Sequence, residues 1–249
     1  MIKVSKENGI AILTLNRPEK RNALHPTMVS QIKSAIKEIS VDKETNSLII
    51  TGKGSSFCAG ADLKNLRDLL NHSTIENEKD SESLAEMFFG IYKMSIPTIA
   101  AVNGPAIAGG CGLASVCDFI IADSKSAKFG FSEVSIGFSP AIVAIFLIKK
   151  IGFNKAKRIL LTSEIIASED AKDLGLADYI SNNVLEDAKA LAKKLSKNSR
   201  TSFSYTKQML NDISNLSIEE AVNFCVQLNV ISRSTEDFKN GIKKFLNKQ

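Results

Sequence analysis

The stretch Asn103-Gly104-Pro105-Ala106-Ile107-Ala108-Gly109-Gly110-Cys111-Gly112 decides how the middle of this chain folds. An apolar, β-branched run at Ile96–Val102 precedes it and predicts a buried strand, and Leu113–Cys117 after it predicts a buried helix. The chain therefore leaves a strand, makes a glycine-rich turn and enters a helix. Glycine lets a ligand approach the backbone closely, and a helix start leaves N–H groups without intrahelical partners. The turn is a candidate site for negative charge on a bound molecule.

Strands and helices alternate through the first two thirds of the chain, and helices alone follow. Strands are predicted at Ile2–Ser5 and Ile10–Leu15 across a tight turn, and a buried strand is predicted at Ser47–Thr51. From Val184 onward, apolar residues spaced three and four apart predict four helices. This order predicts an α/β core over residues 1–183, which holds the site, and a helical C-terminal region over residues 184–249.

Composition argues against several classes of protein. The 249 residues are 44% apolar and 24% charged, with a net charge of +5, which is typical of a globular protein. No apolar run approaches the roughly 18 residues of a membrane span, and the first residues lack the apolar core of a signal peptide. Four cysteines show no metal-ligand spacing (Cys58, Cys111, Cys117 and Cys225). We expect a cytoplasmic protein with reduced thiols, no metal and no membrane contact.

Charge and histidine content narrow the chemistry. The lysines are spread out, so the positive charge suits an anionic small molecule as well as it suits nucleic acid, and such charge most often only solvates the surface. His25 adjoins a predicted helix start and His72 lies in a polar segment, and neither belongs to a pattern that suggests a catalytic triad. A carboxylate is therefore the first candidate for proton transfer.

A second strand–glycine–helix unit, Ser47–Leu63, resembles the first and carries Ala59-Gly60-Ala61-Asp62 in its turn. If the two strands are neighbours, the N–H groups of Ala61 and Gly109 would converge on one point. Two backbone donors aimed at one oxygen form an oxyanion hole. The alternative is that both turns are merely tight, since glycine-rich turns between a strand and a helix are common.

Glu133 is the candidate carboxylate. It is flanked by Phe129, Phe131, Val134, Ile136 and Phe138. A carboxylate in apolar surroundings stays protonated to higher pH, which suits general acid and base work. The alternative is a surface glutamate that caps the turn at Ser132.

Several segments together resemble the crotonase (enoyl-CoA hydratase/isomerase) superfamily, in order and with matching spacing. These are Phe57–Leu63, Ala101–Gly104, Gly109–Cys111, Cys117–Asp118, Phe129–Glu133, Ala171–Ala177 and the ending Asp237–Lys248. The resemblance implies a spiral of ββα units with a helical C-terminal trimerisation region, assembled as a homotrimer or a dimer of trimers. It implies an acyl-CoA thioester as the substrate, so that coenzyme A is part of the substrate and no separate cofactor is needed.

By position, the resemblance assigns the catalytic roles to three residues. Ala61 and Gly109 would donate the N–H groups that hold the thioester oxygen as it becomes an enolate, and Glu133 would transfer the proton. Candidate substrate-binding residues are Lys20, Arg21, Ala23, Ala59, Asp62, Leu63, Gly110, Gly112, Phe245 and Lys248.

One departure from the family pattern changes the chemistry. Hydratases of this family that use two glutamates carry one where this chain has Gly112, so only Glu133 remains. In one interpretation Glu133 alone activates the water, and Gly112 leaves room for a branched or polar β-substituent. The segments around Cys111 and Ile136 look most like the methylglutaconyl-CoA hydratase branch, which favours this interpretation. In the other, Glu133 moves a proton between the α- and γ-carbons, as in a Δ3,Δ2-enoyl-CoA isomerase.

Two functions of a different class stay open. Some relatives of that branch bind RNA, but the chain lacks a helix dense in arginine and lysine interleaved with aromatics, so nucleic acid is not the expected partner. The missing glutamate also allows a catalytically inactive structural paralogue.

Overall fold

The computed structural model describes residues 1–247. The predicted contact of Lys248 lies outside these residues. The strands are β1 (Ile2–Glu7), β2 (Ile10–Leu15), β3 (Ser47–Gly52), β4 (Thr98–Val102), β5 (Ala106–Ile107), β6 (Phe119–Asp123), β7 (Lys128–Gly130), β8 (Ile165–Ala167) and β9 (Tyr179–Ser181). The α-helices are α1 (Pro26–Val41), α2 (Leu63–Leu69), α3 (Thr74–Tyr92), α4 (Gly109–Ser115), α5 (Ala141–Ile151), α6 (Phe153–Thr162), α7 (Ser168–Asp173), α8 (Val184–Leu195), α9 (Arg200–Ile213), α10 (Ile218–Ser234) and α11 (Glu236–Leu246).

Two sheets organise the core. The larger has the order β1-β2-β3-β4-β6-β9, and β1 alone is antiparallel to its neighbour. The smaller has the order β5-β7-β8, with β5 parallel and β8 antiparallel to β7. The chain thus repeats one path. A strand of the large sheet leads to a strand of the small sheet or to a turn beside it, and a helix follows. This passage builds the predicted spiral of ββα units.

Side chains alternate between the two faces of the large sheet because the period of a strand is two. On one face Leu48 and Ile50 join the main core with α1 and α3, and on the other Ile49 packs with Ile99 against α8. The sheet is therefore covered on both sides, as parallel sheets usually are. The predicted division after residue 183 stays a prediction about domains, and α8, which follows it, packs on the sheet.

The helices after α8 reach the core through a few polar contacts. Lys207 of α9 lies 2.8 Å from Asp118, Nζ to Oδ2, and Arg200 donates to the carbonyls of Asp42 and Lys43. α10 packs on α9, and α11 packs on both. Apolar side chains of these last two helices stay exposed: Ile218, Val222, Val226, Val230, Phe238, Ile242 and Phe245.

Most predicted elements are confirmed, with shifted ends. The helix after the glycine turn begins at Gly109 rather than Leu113, because the turn itself winds into the first helical residues. His72, expected in a polar segment, lies just before the start of α3, where Ser73 and Glu76 form a capping box. The sequence did not predict β5 and β8. None of the helices among residues 1–247 is long and apolar enough to cross a membrane.

Candidate active site

Four chain segments run side by side: the segment before α1, the turn after β3, β5 and β7. A predicted catalytic residue lies at or just after the end of each of the last three. One bridge joins the segment before α1 to the turn after β3, and another joins that turn to β5. β5 in turn pairs with β7. Because these pairings are parallel, the segments end at the same edge. Ala61, Gly109 and Glu133 follow three successive segments of this row.

The two glycine turns leave neighbouring strands, since β3 and β4 pair in parallel, so the condition for an oxyanion hole stated from the sequence is met. The side chain of Asn103 ties their ends together. Its Oδ1 accepts the Gly52 N–H at 3.0 Å, and its Nδ2 donates to the Gly54 carbonyl at 2.9 Å. The turns after these strands are therefore held at a fixed separation.

Backbone pairing between the two turns stops at Cys58. Its N–H donates to the Pro105 carbonyl at 3.1 Å, and its carbonyl accepts the Ile107 N–H at 2.9 Å. Beyond this point the N–H groups of Ala61 and Gly109 donate to no acceptor within residues 1–247. A Cβ built on Gly60 would lie 3.7 Å from the Gly109 nitrogen, so the turns stay in contact where the donors are free.

An uncommon backbone conformation at Ala108 directs the second donor. Ala108 has φ 50° and ψ −125°, a region that costs a residue other than glycine about 1–3 kcal/mol. Its N–H donates to the Gly130 carbonyl at 2.8 Å, and its carbonyl accepts the Gly112 N–H at 3.0 Å. These two bonds fix the peptide group that carries the Gly109 N–H.

A buried ion pair fixes the turn that carries the first donor. Asp62 Oδ2 accepts from Arg17 Nη2 at 2.8 Å, and Asp62 Oδ1 accepts the Lys64 N–H at 2.9 Å. Burial acts to raise the pKa of Asp62, but the Arg17 guanidinium and the first N–H groups of α2 lower it overall. Both carboxylate oxygens are thus engaged within the protein. We reinterpret Asp62, predicted as a substrate contact, as the residue that holds the Ala61 turn.

Glu133 is buried, with 7% of its surface exposed. Its Oε2 is buried and has no hydrogen-bond partner among residues 1–247. Burial raises the pKa of the Glu133 carboxyl above its ordinary value. Burial, together with the charge of Glu133, raises the pKa of the Cys111 thiol in α4 to about 12. A buried carboxyl group with a raised pKa is chemically suited to proton transfer.

The predicted reason for the burial of Glu133 is partly wrong. Phe129 and Phe131 are fully buried, but Val134, Ile136 and Phe138 are 43%, 68% and 61% exposed. Glu133 begins a short 3-10 helix that turns those three side chains outward. Of the five predicted apolar neighbours, only Phe129 and Phe131 belong to the buried core.

Comparison with known proteins identifies the family of this chain. The family model described as enoyl-CoA hydratase/isomerase matches residues 5–249. This chain belongs to the enoyl-CoA hydratase/isomerase family. A Thermus thermophilus protein with the provisional name enoyl-CoA hydratase is 38% identical, across 100% of this chain and 98% of its own length. The short-chain-enoyl-CoA hydratase of Clostridium acetobutylicum is 32% identical, across 99% and 95%.

Solved structures of the family share the fold. An enoyl-CoA hydratase from Polaromonas sp. JS666 superposes with a TM-score of 0.94 at 29% identity, covering 100% of this chain and 97% of that one. The prediction of a crotonase-like spiral with C-terminal helices is confirmed.

In this family member, two of the predicted substrate-binding glycines pack against the protein. A Cβ on Gly110 would lie 2.1 Å from the Cys58 carbonyl oxygen. A Cβ on Gly112 would lie 2.3 Å from Val143 Cγ1 and 3.4 Å from the Phe88 ring. The predicted room for a substituent at Gly112 is therefore absent, because Val143 of α5 occupies it.

The other predicted substrate-binding residues fall into three groups. Ala23, Ala59 and Leu63 adjoin the first turn, where Ala23 is buried and Leu63 is 82% exposed. The side chains of Lys20 and Arg21 are exposed and form no ion pair within residues 1–247. Phe245 is 64% exposed on α11, and no hydrogen bond or ion pair joins α11 to the glycine turns in the described part of the chain.

Sequence reasoning missed three residues that shape the site. Arg17 was not among the predicted site residues, and its pairing with Asp62 was not predicted. Nothing in the local sequence indicated the conformation of Ala108 or the contact of Val143 with Gly112. Among residues 1–247, no group of three His, Cys, Asp or Glu side chains is arranged to hold a metal ion.

Proposed function

We propose that this protein is an enoyl-CoA hydratase, which adds water reversibly across the 2,3 double bond of an acyl-CoA thioester. One observation carries the proposal. Glu133, a buried carboxylate with an unpartnered oxygen, and the free N–H groups of Ala61 and Gly109 all lie at the ends of neighbouring segments in the same row. That combination provides a proton-transfer group and a binding site for an oxyanion. The hydratase names of the Thermus and Clostridium relatives support it.

The chemistry runs through an enolate. The N–H groups of Ala61 and Gly109 would bind the thioester oxygen, and their attraction grows as negative charge develops on it. Removing one such donor typically costs about 2.7–4 kcal/mol of barrier. Glu133 would hold the water and take one of its protons as the water oxygen bonds to the β-carbon. Glu133 then returns that proton to the α-carbon of the enolate, which completes the addition and restores the carboxylate.

The second candidate is a Δ3,Δ2-enoyl-CoA isomerase, and a specific observation favours it. Val143 fills the space beside Gly112, so Glu133 is the carboxylate available at this helix. An isomerase needs one carboxylate to take a proton from the α-carbon and return it to the γ-carbon. It uses the same two N–H donors and no added water.

Two further properties to be proposed are the acyl group of the substrate and the oligomeric state of the protein. The interpretation of a branched substrate such as 3-methylglutaconyl-CoA loses the support of an open space at Gly112 and rests on the sequence resemblance. Assembly as a homotrimer or dimer of trimers is supported by the exposed apolar side chains along α10 and α11, which soluble proteins usually cover. RNA binding or an inactive structural role would be favoured by absence of turnover on every enoyl-CoA.

The test is turnover by the wild type and by Glu133→Gln with crotonyl-CoA, 3-methylglutaconyl-CoA and a 3-enoyl-CoA. We expect the wild type to consume the conjugated enoyl absorbance of one of the first two, and Glu133→Gln to bind that thioester with turnover reduced at least about a hundredfold. Turnover of the 3-enoyl-CoA alone would establish the isomerase. Near-normal turnover by Glu133→Gln would remove Glu133 from the mechanism.

A further inference from the structure

The contact between α4 and α5 determines what the side chain of residue 112 can be. Gly112 is buried one helical turn after Gly109, and its N–H makes the first hydrogen bond of α4, to Ala108. Side chains on a helix tilt toward its N-terminus. A side chain at position 112 would therefore point toward the free N–H of Gly109, where the reaction is proposed to occur.

Val143 stands in the way of such a side chain. Its Cγ1 is 2.3 Å and its Cβ 3.0 Å from the position of a Cβ on Gly112. Val143 is 4% exposed, and the aromatic rings of Phe88 and Phe146 lie edge to face nearby with centroids 6.3 Å apart. Close-packed interiors yield little, so a Cβ at position 112 would have to displace Val143.

We propose that Val143 is a specificity-determining residue, whose side chain excludes any second functional group at position 112 and so limits the site to Glu133. The effect on chemistry rests on the proposed function. The claim that Val143 excludes a side chain at position 112 rests only on the contact between Val143 and Gly112. Val143 and Gly112 then act as a pair. Replacing Gly112 by itself strains the helix contact, whereas replacing both opens a path for a new side chain beside Glu133.

The packing part is tested by thermal unfolding of Gly112→Ala, Val143→Ala and the double variant. We expect Gly112→Ala to lower Tm by several degrees and the double variant to be more stable than the sum of the two single effects. Gly90→Ala is the matched control, because Gly90 is also in a helix and its Cβ would meet only Ile36 Cγ2 at an ordinary 3.8 Å. We expect no loss of Tm there. Equal Tm changes for Gly112→Ala and Gly90→Ala, or strict additivity, would overturn the inference.

The chemical part is tested with Gly112→Glu in the Val143→Ala background. A second carboxylate near Glu133 disfavours ionisation of both, so the acid limb of the activity profile should move to higher pH. The ratio of hydration to isomerisation should rise at least about tenfold, because a second group can hold water. An unchanged ratio and profile in a folded double variant would overturn the role of Val143 in specificity. If the wild type turns over no enoyl-CoA, the proposed function fails, and the thermal coupling still decides the packing claim.

Discussion

Gly60→Ala offers a sharp test of the two-donor arrangement. Gly60 has φ +89°, and an added Cβ would lie 3.0 Å from both the Ile107 carbonyl oxygen and Ala108 Cβ, and 3.7 Å from the Gly109 nitrogen. The methyl group would thus push between the turns that carry Ala61 and Gly109. Left-handed backbone costs alanine roughly 1–2 kcal/mol, and the crowding adds to it. If the donors separate so that one is lost, the barrier rises by about 2.7–4 kcal/mol, or a factor of 10²–10³ in kcat.

Gly175→Ala is the matched control for this prediction. Gly175 has φ +82° and nothing within 4 Å of its would-be Cβ, so the substitution carries the same backbone strain without the crowding. Turnover of an enoyl-CoA and thermal unfolding are measured for both variants. We expect both to lose stability and only Gly60→Ala to lose activity by two orders of magnitude. Equal activity of the two folded variants would refute the claim that these turns position the donors.

Three further predictions follow from the ion pairs and from Glu133. Arg17→Met removes the partner of Asp62, so we expect kcat to fall more than KM changes, with partial rescue by Arg17→Lys, in steady-state kinetics. Lys207→Met leaves the Asp118 carboxylate without its buried counter-charge, and the loss of such a partner typically costs about 3–5 kcal/mol of stability. Thermal unfolding should therefore show a lowered Tm, and part of it should return when Asp118 is also changed to Asn. The raised pKa of Glu133 means that the folded state binds this proton more tightly than the unfolded chain. Glu133 therefore costs stability as pH rises through that pKa, and the Tm of Glu133→Gln should increase relative to that of the wild type as the pH is raised from below the ordinary carboxyl range to above the raised pKa. An unchanged Tm difference across that range would contradict the burial of an ionisable Glu133.

The sequence carries much of this fold because its main elements are long and strongly patterned. The glycine turns could be predicted from their composition, but the sequence did not show that β3 and β4, the strands before them, are neighbours. β5 and β8 have two and three residues, too few to show an alternating pattern. The pairing of β5 with β7 nonetheless completes the row of segments on which the site depends.

Contacts distant in sequence explain the remaining differences. Arg17 and Asp62 are 45 residues apart, and no local pattern links a cation in one loop to a carboxylate in another. The glycine at position 112 suggested open space, because a sequence shows the missing side chain but not the neighbour that fills its volume. Val143 belongs to an apolar helix in which nothing distinguishes it from the other core residues.

The most direct test of the central claim is exchange of the α-proton of butyryl-CoA in D2O, followed by NMR or mass spectrometry. Butyryl-CoA can neither take up nor lose water, so exchange reports enolate formation and proton transfer alone, which the hydratase and the isomerase share. We predict that the wild type exchanges this proton and that Glu133→Gln binds the thioester with exchange reduced at least about a hundredfold. Exchange by Glu133→Gln at the wild-type rate would contradict the assignment of Glu133 as the proton-transfer group.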